Sequence, residues 1–365
     1  MSNAPTVTAN PPSRGAVIDS LTSLRGFAAL WVVFVHHGDL VGRFFPGFLR
    51  LRPLLDAGVM MVTVFFILSG YVLGLRYREA FRTWSPSSHL RFLALRLGRI
   101  YPVHALTLLF AVLLFARHGF QPGSPNDLGS LLANLLLVQG WGWDFRLTWN
   151  FPAWSLSSEW FAYLLFPWTA RLLVGLSGRA AVVGTVLCAL WSGIQAPFLN
   201  AMPLTGLADV VPSFLGGFLL SFWVRPGAAS ASRGVSWVAD LAGLLLLVVP
   251  LTMPSGIPTT LPFILAAFVL IALLAHVGPR CGRVWRHPLA VWLGDVSYPL
   301  YLVHTLFTTV FIRLVGFDRW IHEPMPVRLA VLAAWLGGIL GLAALVHHGV
   351  EIPGRRLSRR LLGAD

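Results

Sequence analysis

Several stretches of the chain place ionisable side chains among residues that are otherwise almost all apolar. In LTSLRGFAALWVVFVHHGDL, Arg25 and His36 stand eleven residues apart. At 100° per residue this is within about 20° of three full turns, so both side chains leave a helix on one face, about 16 Å apart along its axis. A permanent cation is thereby joined to an imidazole that titrates near neutrality. Alternatively, Arg25 snorkels to one membrane surface and His36, or His37 beside it, lies at the other. Arg96 and Arg99, in RLGRIYP, share a helical face immediately before Tyr101 and Pro102. Two guanidinium forks suit bidentate binding of phosphates, and they also suit a stop signal on lipid headgroups.

In WNFPAWSLSSEWFAYLLFP, Ser155, Glu159 and Tyr163 follow one another at four-residue steps. An interfacial aromatic belt accounts for tryptophans such as Trp154, but Glu159 requires a buried Arg, a His or a polar cavity. LGDVSYPLYLVHTLF carries Asp295 near one end, with Ser297, Tyr301 and His304 close to one face, so this helix too can line a cavity. The pattern allows His304 either a hydrogen-bonded packing role or a catalytic one. Glu351, in HHGVEIPGRR, adjoins several Arg and reads as a structural ion pair. In VFFILSGYVLGLRYR, Ser69 reads as structural, bonded back to its own helix, while Gly70 and Gly74 have the spacing that lets helices approach closely.

The elements that hold these groups must lie in a membrane. Of the 365 residues, 56% are hydrophobic and 11% charged, less than half the roughly 25% charged share of a soluble domain. That balance excludes a soluble globular protein, and the high hydrophobicity excludes disorder. Ten stretches reach the length of a spanning helix, at approximately 19–41, 56–75, 100–117, 153–174, 180–198, 204–223, 236–253, 259–277, 288–313 and 328–348. The shorter apolar stretch 128–140 suits an interfacial or re-entrant helix. The fold class expected is an all-α polytopic bundle.

All 27 basic residues are Arg. They punctuate the apolar blocks, which fits topology signals and anion contacts better than a nucleic-acid face. With the N-terminus placed inside, 18 Arg fall in inside loops and 8 in outside loops, so both termini are expected in the cytoplasm. Residues 1–16 form a polar tail without signal-peptide character, 17–353 the membrane domain and 354–365 a basic cytoplasmic tail. Cys188 and Cys281 show no metal-ligand or disulfide spacing and read as inert packing residues.

Arg25 with His36, FFILSGY, RLGRIYP, WSLSSEW, SYPLYLVH and EIPGRR occur in the order in which they occur in the acyltransferase-3 family of bacterial membrane O-acyltransferases, which the chain resembles from about residue 18 to 357. The resemblance implies a bundle of about ten helices that moves an acyl group, usually acetyl, from cytoplasmic acyl-CoA to an acceptor hydroxyl, without a metal. It implies that Arg25, Arg96 and Arg99 serve the acyl-CoA end and that His36 is the essential histidine. A neutral His36 can take the proton of the attacking hydroxyl, His37 being the second choice. Glu159 or Asp39 is then expected to orient the imidazole. Ser69, Tyr101, Trp154, Ser155, Ser158, Tyr301 and His304 are expected to line the substrate cavity. Thr63 departs from the family, many members having an acidic residue at that place. Some members also carry an extracytoplasmic hydrolase-like domain, for which this sequence has no room.

The expected activity is therefore transfer of an acyl, most simply acetyl, group to a cell-surface or exported glycan or lipid-linked oligosaccharide at the bacterial inner membrane. The alternatives are a small exported acceptor such as a macrolide, or a transporter or flippase of a lipid-linked sugar. Against transport, no two-half repeat is visible, and paired Arg favour a phosphate-bearing donor over a proton relay. The pattern leaves open whether an acyl-His or acyl-Ser intermediate forms.

Overall fold

Over its described residues each of the ten apolar stretches is largely helical in the computed structural model of the protein, which describes residues 16–83, 85–115, 124–142, 148–201, 205–226, 233–277 and 283–363. The N-terminal tail up to residue 15, Cys281, Arg14, Arg117, Arg146 and Arg280 lie outside the described residues. The helices are α1 (Ala16–Phe44), α2 (Arg52–Asp56), α3 (Met61–Tyr77), α4 (Pro86–Phe115), α5 (Leu128–Leu135), α6 (Trp154–Leu173), α7 (Gly178–Gln195), α8 (Thr205–Leu220), α9 (Arg233–Thr252), α10 (Ile257–Val277), α11 (Pro288–Asp295), α12 (Ser297–Val315), α13 (Met325–Val346) and α14 (Ile352–Leu361). No strand occurs among the described residues.

Six segments are long and apolar enough to cross a membrane by length and composition: Pro46–Tyr77, Pro86–Phe115, Gly178–Phe198, Ile257–His276, Ser297–Val315 and Met325–Leu361. Two further apolar helices, within α8 and α9, are shorter. α1 and α6 have the length, at 29 and 20 residues, but carry the polar side chains singled out above. Apolar residues exposed on the outside, such as Leu113, Leu172 and Leu187, suit a bundle whose surroundings are lipid tails.

Helices come closest where glycine removes the side chain. Gly70 of α3 faces the Phe214 carbonyl of α8, and Gly217 of α8 faces the Ile67 carbonyl of α3. Gly74, the other member of the pair four residues on, faces Phe218 and Ser221, so the pair works as a packing seam. Gly26 of α1 meets the backbone of Leu293 and Gly294 in α11. This second seam sets where Arg25 can reach.

The ninth apolar stretch, expected as one span over 288–313, is two helices broken at Val296. There the Ser297 hydroxyl donates to the Gly294 carbonyl at 2.7 Å, satisfying the end of α11 where α12 begins. The expected basic tail after residue 353 is also more ordered than its composition suggests: α14 packs along α4, with Ser358 against Gly98 and Pro102 against Gly354. A π-helical turn over His347–Glu351 joins it to α13.

α5 is re-entrant. Tyr101 donates to the Leu135 carbonyl at 3.1 Å, and the His104 Nε2 bonds the Asn134 carbonyl at 2.8 Å. These α4 residues lie about 21 and 16 Å before the end of α4 at the helical rise. The described residues that follow α5, up to 142, are non-helical, and in a bundle among lipid such backbone must be satisfied by protein. Ser157 does so, donating to the Leu137 carbonyl at 2.7 Å and accepting from the Gly140 N–H at 3.0 Å. Asn150 donates to the Leu302 carbonyl of α12 at 2.9 Å.

Because a Cβ at Gly70 has no space, Gly70→Ala is expected to lower stability in detergent by about 1–3 kcal/mol. Gly47→Ala, with nothing within 4 Å, serves as the control. Equal thermal midpoints for the two variants would show that α3 and α8 can separate freely.

Candidate active site

The site is built on α1 and α12, which run in the same direction. At one end, the Arg25 guanidinium donates to the Ser297 hydroxyl at 2.9 Å, a contact made possible by the Gly26–Gly294 seam one turn away. At the other, the His36 Nδ1 lies 2.8 Å from the His304 Nε2. The two imidazole planes are parallel within 8°. His36 is exposed, whereas His304 is wholly buried. Phe151, from the segment returning from α5, stands edge-on to His36 at 4.8 Å.

Between these ends runs a ladder of hydroxyls and one carboxylate. Ser155 of α6 donates to the Pro152 carbonyl at 3.1 Å, so the Tyr301 hydroxyl is the donor in their 2.8 Å bond. One and two turns along α6, Tyr163 donates to Glu159 at 2.5 Å. Ser69 then donates to the Tyr163 oxygen at 3.3 Å. Ser69 therefore bridges α3 to α6 instead of bonding back to its own helix. Ser158 does the reverse: fully buried, it donates to the Trp154 carbonyl at 3.1 Å and sits against Gly206 of α8. Trp154 is half-buried on the core, and Tyr101 holds the end of α5, as described above.

At the Arg25 end, Arg96 donates to the Tyr77 hydroxyl at 3.3 Å and lies over the Tyr77 and Phe92 rings. Its buried Nε has no partner. Arg99 lies within electrostatic range of Glu159, Glu351 and Tyr298. Tyr298 donates to the Ile100 carbonyl, fastening α12 to α4. Glu351, 3% exposed, accepts from the His347 Nδ1 at 2.7 Å and pairs with Arg355 at 3.5 Å. Guanidinium groups thus outnumber carboxylates here.

The two carboxylates expected to orient the imidazole are engaged elsewhere. Asp39 pairs with Arg52 at the surface, its side chain 72% exposed, and Glu159 accepts from Tyr163. The partner of His36 is another imidazole. Sequence reasoning also passed over Asp209 of α8, 4% exposed. Its carboxylate accepts from Thr63 at 3.0 and 3.1 Å and from Ser213 at 3.3 Å. The signal was present, as a carboxylate inside the apolar stretch 204–223. At Thr63, where the sequence lacks an acidic residue, α8 delivers one. No group of three or more His, Cys, Asp and Glu among the described residues is placed to hold a metal ion.

The bundle of apolar helices thus holds an accessible histidine at one end of a polar ladder and a guanidinium cluster at the other. A family model described as an acyltransferase domain matches residues 18–346. The chain belongs to this acyltransferase-3 family and is a multi-pass membrane acyltransferase. It is 31% identical to the acyltransferase MdmB of Streptomyces mycarofaciens, over 96% of this chain and 94% of that protein. It is 28% identical to the exopolysaccharide production protein ExoZ of Rhizobium meliloti (strain 1021), over 79% of this chain and 87% of that one. No solved structure matches.

Thr63→Val keeps the shape of the side chain but removes a donor from a buried carboxylate. It is expected to cost about 1–3 kcal/mol, with Thr63→Ser close to wild type. Denaturant titration of the purified protein that finds Thr63→Val as stable as wild type would show that Asp209 does not depend on this hydroxyl.

Proposed function

We propose that the protein is an inner-membrane O-acyltransferase that moves an acyl group, acetyl in the simplest case, from cytoplasmic acyl-CoA to a hydroxyl of a cell-surface or exported glycan. The observation that carries this reading is the polar ladder between the guanidinium cluster and His36. The axial offset of about 16 Å between Arg25 and His36 is comparable to the reach of an extended pantetheine arm, and the hydroxyls along α6 and α12 suit its amides. Phosphates of the donor fit the surplus of cations over carboxylates, and the unpartnered Arg96 Nε offers a donor to them. Arg25 and Arg99 complete the binding set.

In the reaction, the His36 imidazole takes the proton of the acceptor hydroxyl as its oxygen attacks the thioester carbonyl. The C–O bond forms, the C–S bond breaks, and the proton passes from the imidazolium to the leaving thiolate. The exposure of His36, against the burial of His304, makes it the imidazole that substrate can meet. The exopolysaccharide in the name of the Rhizobium relative supports a glycan acceptor. The Arg excess in loops at the Arg25 end supports a cytoplasmic placing of that end by the positive-inside rule. The start of α1 and the whole of α14 also lie there, which supports cytoplasmic termini and an even number of spans.

With radiolabelled acetyl-CoA supplied to the protein in vesicles, His36→Ala is expected to abolish acetyl release and transfer while sparing donor binding. Arg96→Ala and Arg99→Ala are expected to weaken donor binding about tenfold or more, since a charge-assisted contact to phosphate is lost. Wild-type turnover in His36→Ala would remove the proposed base, and unchanged donor affinity in both Arg variants would remove the phosphate assignment.

A further inference from the structure

We infer that His304 is a positioning residue that fixes the tautomer of His36 through a directed chain of hydrogen bonds, leaving the His36 Nε2 lone pair as the base. This deepens the reading of His36 given above and rests on it.

The direction of the chain follows from which atoms can carry protons. The His304 Nδ1 lies 3.2 Å from the Leu300 carbonyl. A carbonyl has no proton to give, so in the neutral ring Nδ1 carries the hydrogen and Nε2 is an acceptor. The group facing that acceptor is the His36 Nδ1, at 2.8 Å. Two lone pairs cannot share such a distance, so the His36 Nδ1 holds a hydrogen and donates it. In a neutral imidazole the other nitrogen, Nε2, is then unprotonated. It lies on the ring edge away from the buried His304, on the side chain that is exposed. The chain therefore reads Leu300 carbonyl, His304, His36, acceptor hydroxyl, with every donor pointing away from the substrate.

His304 is fixed for this task. The Trp335 Nε1 donates to the Thr308 hydroxyl at 2.9 Å, and Thr308 donates to the His304 carbonyl at 2.7 Å. Tyr301 and His37 are the other titratable rings against it, at 6.1 and 5.6 Å. Neither stands in the chain. The His37 Nε2 is buried with no partner, and its ring packs edge-on against Trp335 at 5.7 Å. It cannot present that nitrogen to a substrate, which separates the two adjacent histidines.

When His36 takes the hydroxyl proton at Nε2, the ring becomes an imidazolium whose Nδ1–H still points at the His304 lone pair. His304 thus fills the position that a carboxylate holds in a hydrolase triad. It gains and loses no proton over the cycle. The two proton transfers both occur at the His36 Nε2, from the hydroxyl and then to the thiolate.

The test compares two side chains of similar length. His304→Gln retains an oxygen that can accept from the His36 Nδ1, and His304→Met does not. Acetyl transfer from acetyl-CoA by the full-length protein in vesicles is expected to fall about 10²-fold or more in kcat for His304→Met, with KM for acetyl-CoA unchanged. His304→Gln is expected to recover at least tenfold of that loss. Equal loss in both variants, or wild-type turnover in both, overturns the positioning role. Histidine ¹⁵N shifts of the unmutated labelled protein give a readout independent of variant folding: a His36 protonated on Nδ1 supports the chain, and one protonated on Nε2 overturns it. Loss of turnover in His36→Ala alongside equal His304 variants would leave His36 as base and remove only its positioning. An active His36→Ala would remove both.

Discussion

An arginine and a histidine on one apolar helix each need a polar partner, and a single neighbouring helix, α12, supplies both. Leaving a buried polar group unpaired costs several kcal/mol in an apolar medium, and the wholly buried His304 and the part-buried Arg25 are both paired across this contact. α12 presents Ser297 to Arg25 and His304 to His36. Ser297 and His304 are seven residues apart, about 10 Å along the axis, whereas Arg25 and His36 are about 16 Å apart. The long guanidinium stem makes up the difference by reaching along the groove. The break at Val296 belongs to the same constraint. α11 closes on α1 at the glycine seam, and α12, starting after the break, brings His304 to His36.

The remaining polar groups follow from the same rule. α6 carries Ser155, Glu159 and Tyr163 on one stripe, and each finds a hydroxyl or carboxylate partner on α12, on α3 or along α6 itself. Asp209 draws hydroxyls from α3 and from its own helix. Ser157 takes up backbone of the irregular residues after α5, and Asn150 takes up backbone of α12. The Phe151 ring, on the segment between α5 and α6, borders His36 directly.

Composition and periodicity made much of this legible. The low charged fraction required a membrane bundle, and each apolar stretch coincides with helix, although the third lies within a longer helix, α4, and the ninth is split into α11 and α12. The stripes Arg25 with His36, Ser155 with Glu159 and Tyr163, and Ser297 with Tyr301 and His304 face the same interior. These are local properties, since helical geometry alone decides which side chains of one helix share a face. Legibility stopped at contacts between helices. Asp39, three residues from His36, looked like its natural partner, yet Arg52 on the next short helix takes it at the surface.

The sequence by itself therefore determined that the chain enters a membrane, which groups lie inside and which of them share a helix face. Only the tertiary structure decided that His304 and not a carboxylate meets His36, that Asp209 answers Thr63, and that Ser69 reaches Tyr163. The reason is physical. A buried polar atom must find a partner, but any helix of the bundle can provide it, and helix packing rather than spacing along the chain selects which one.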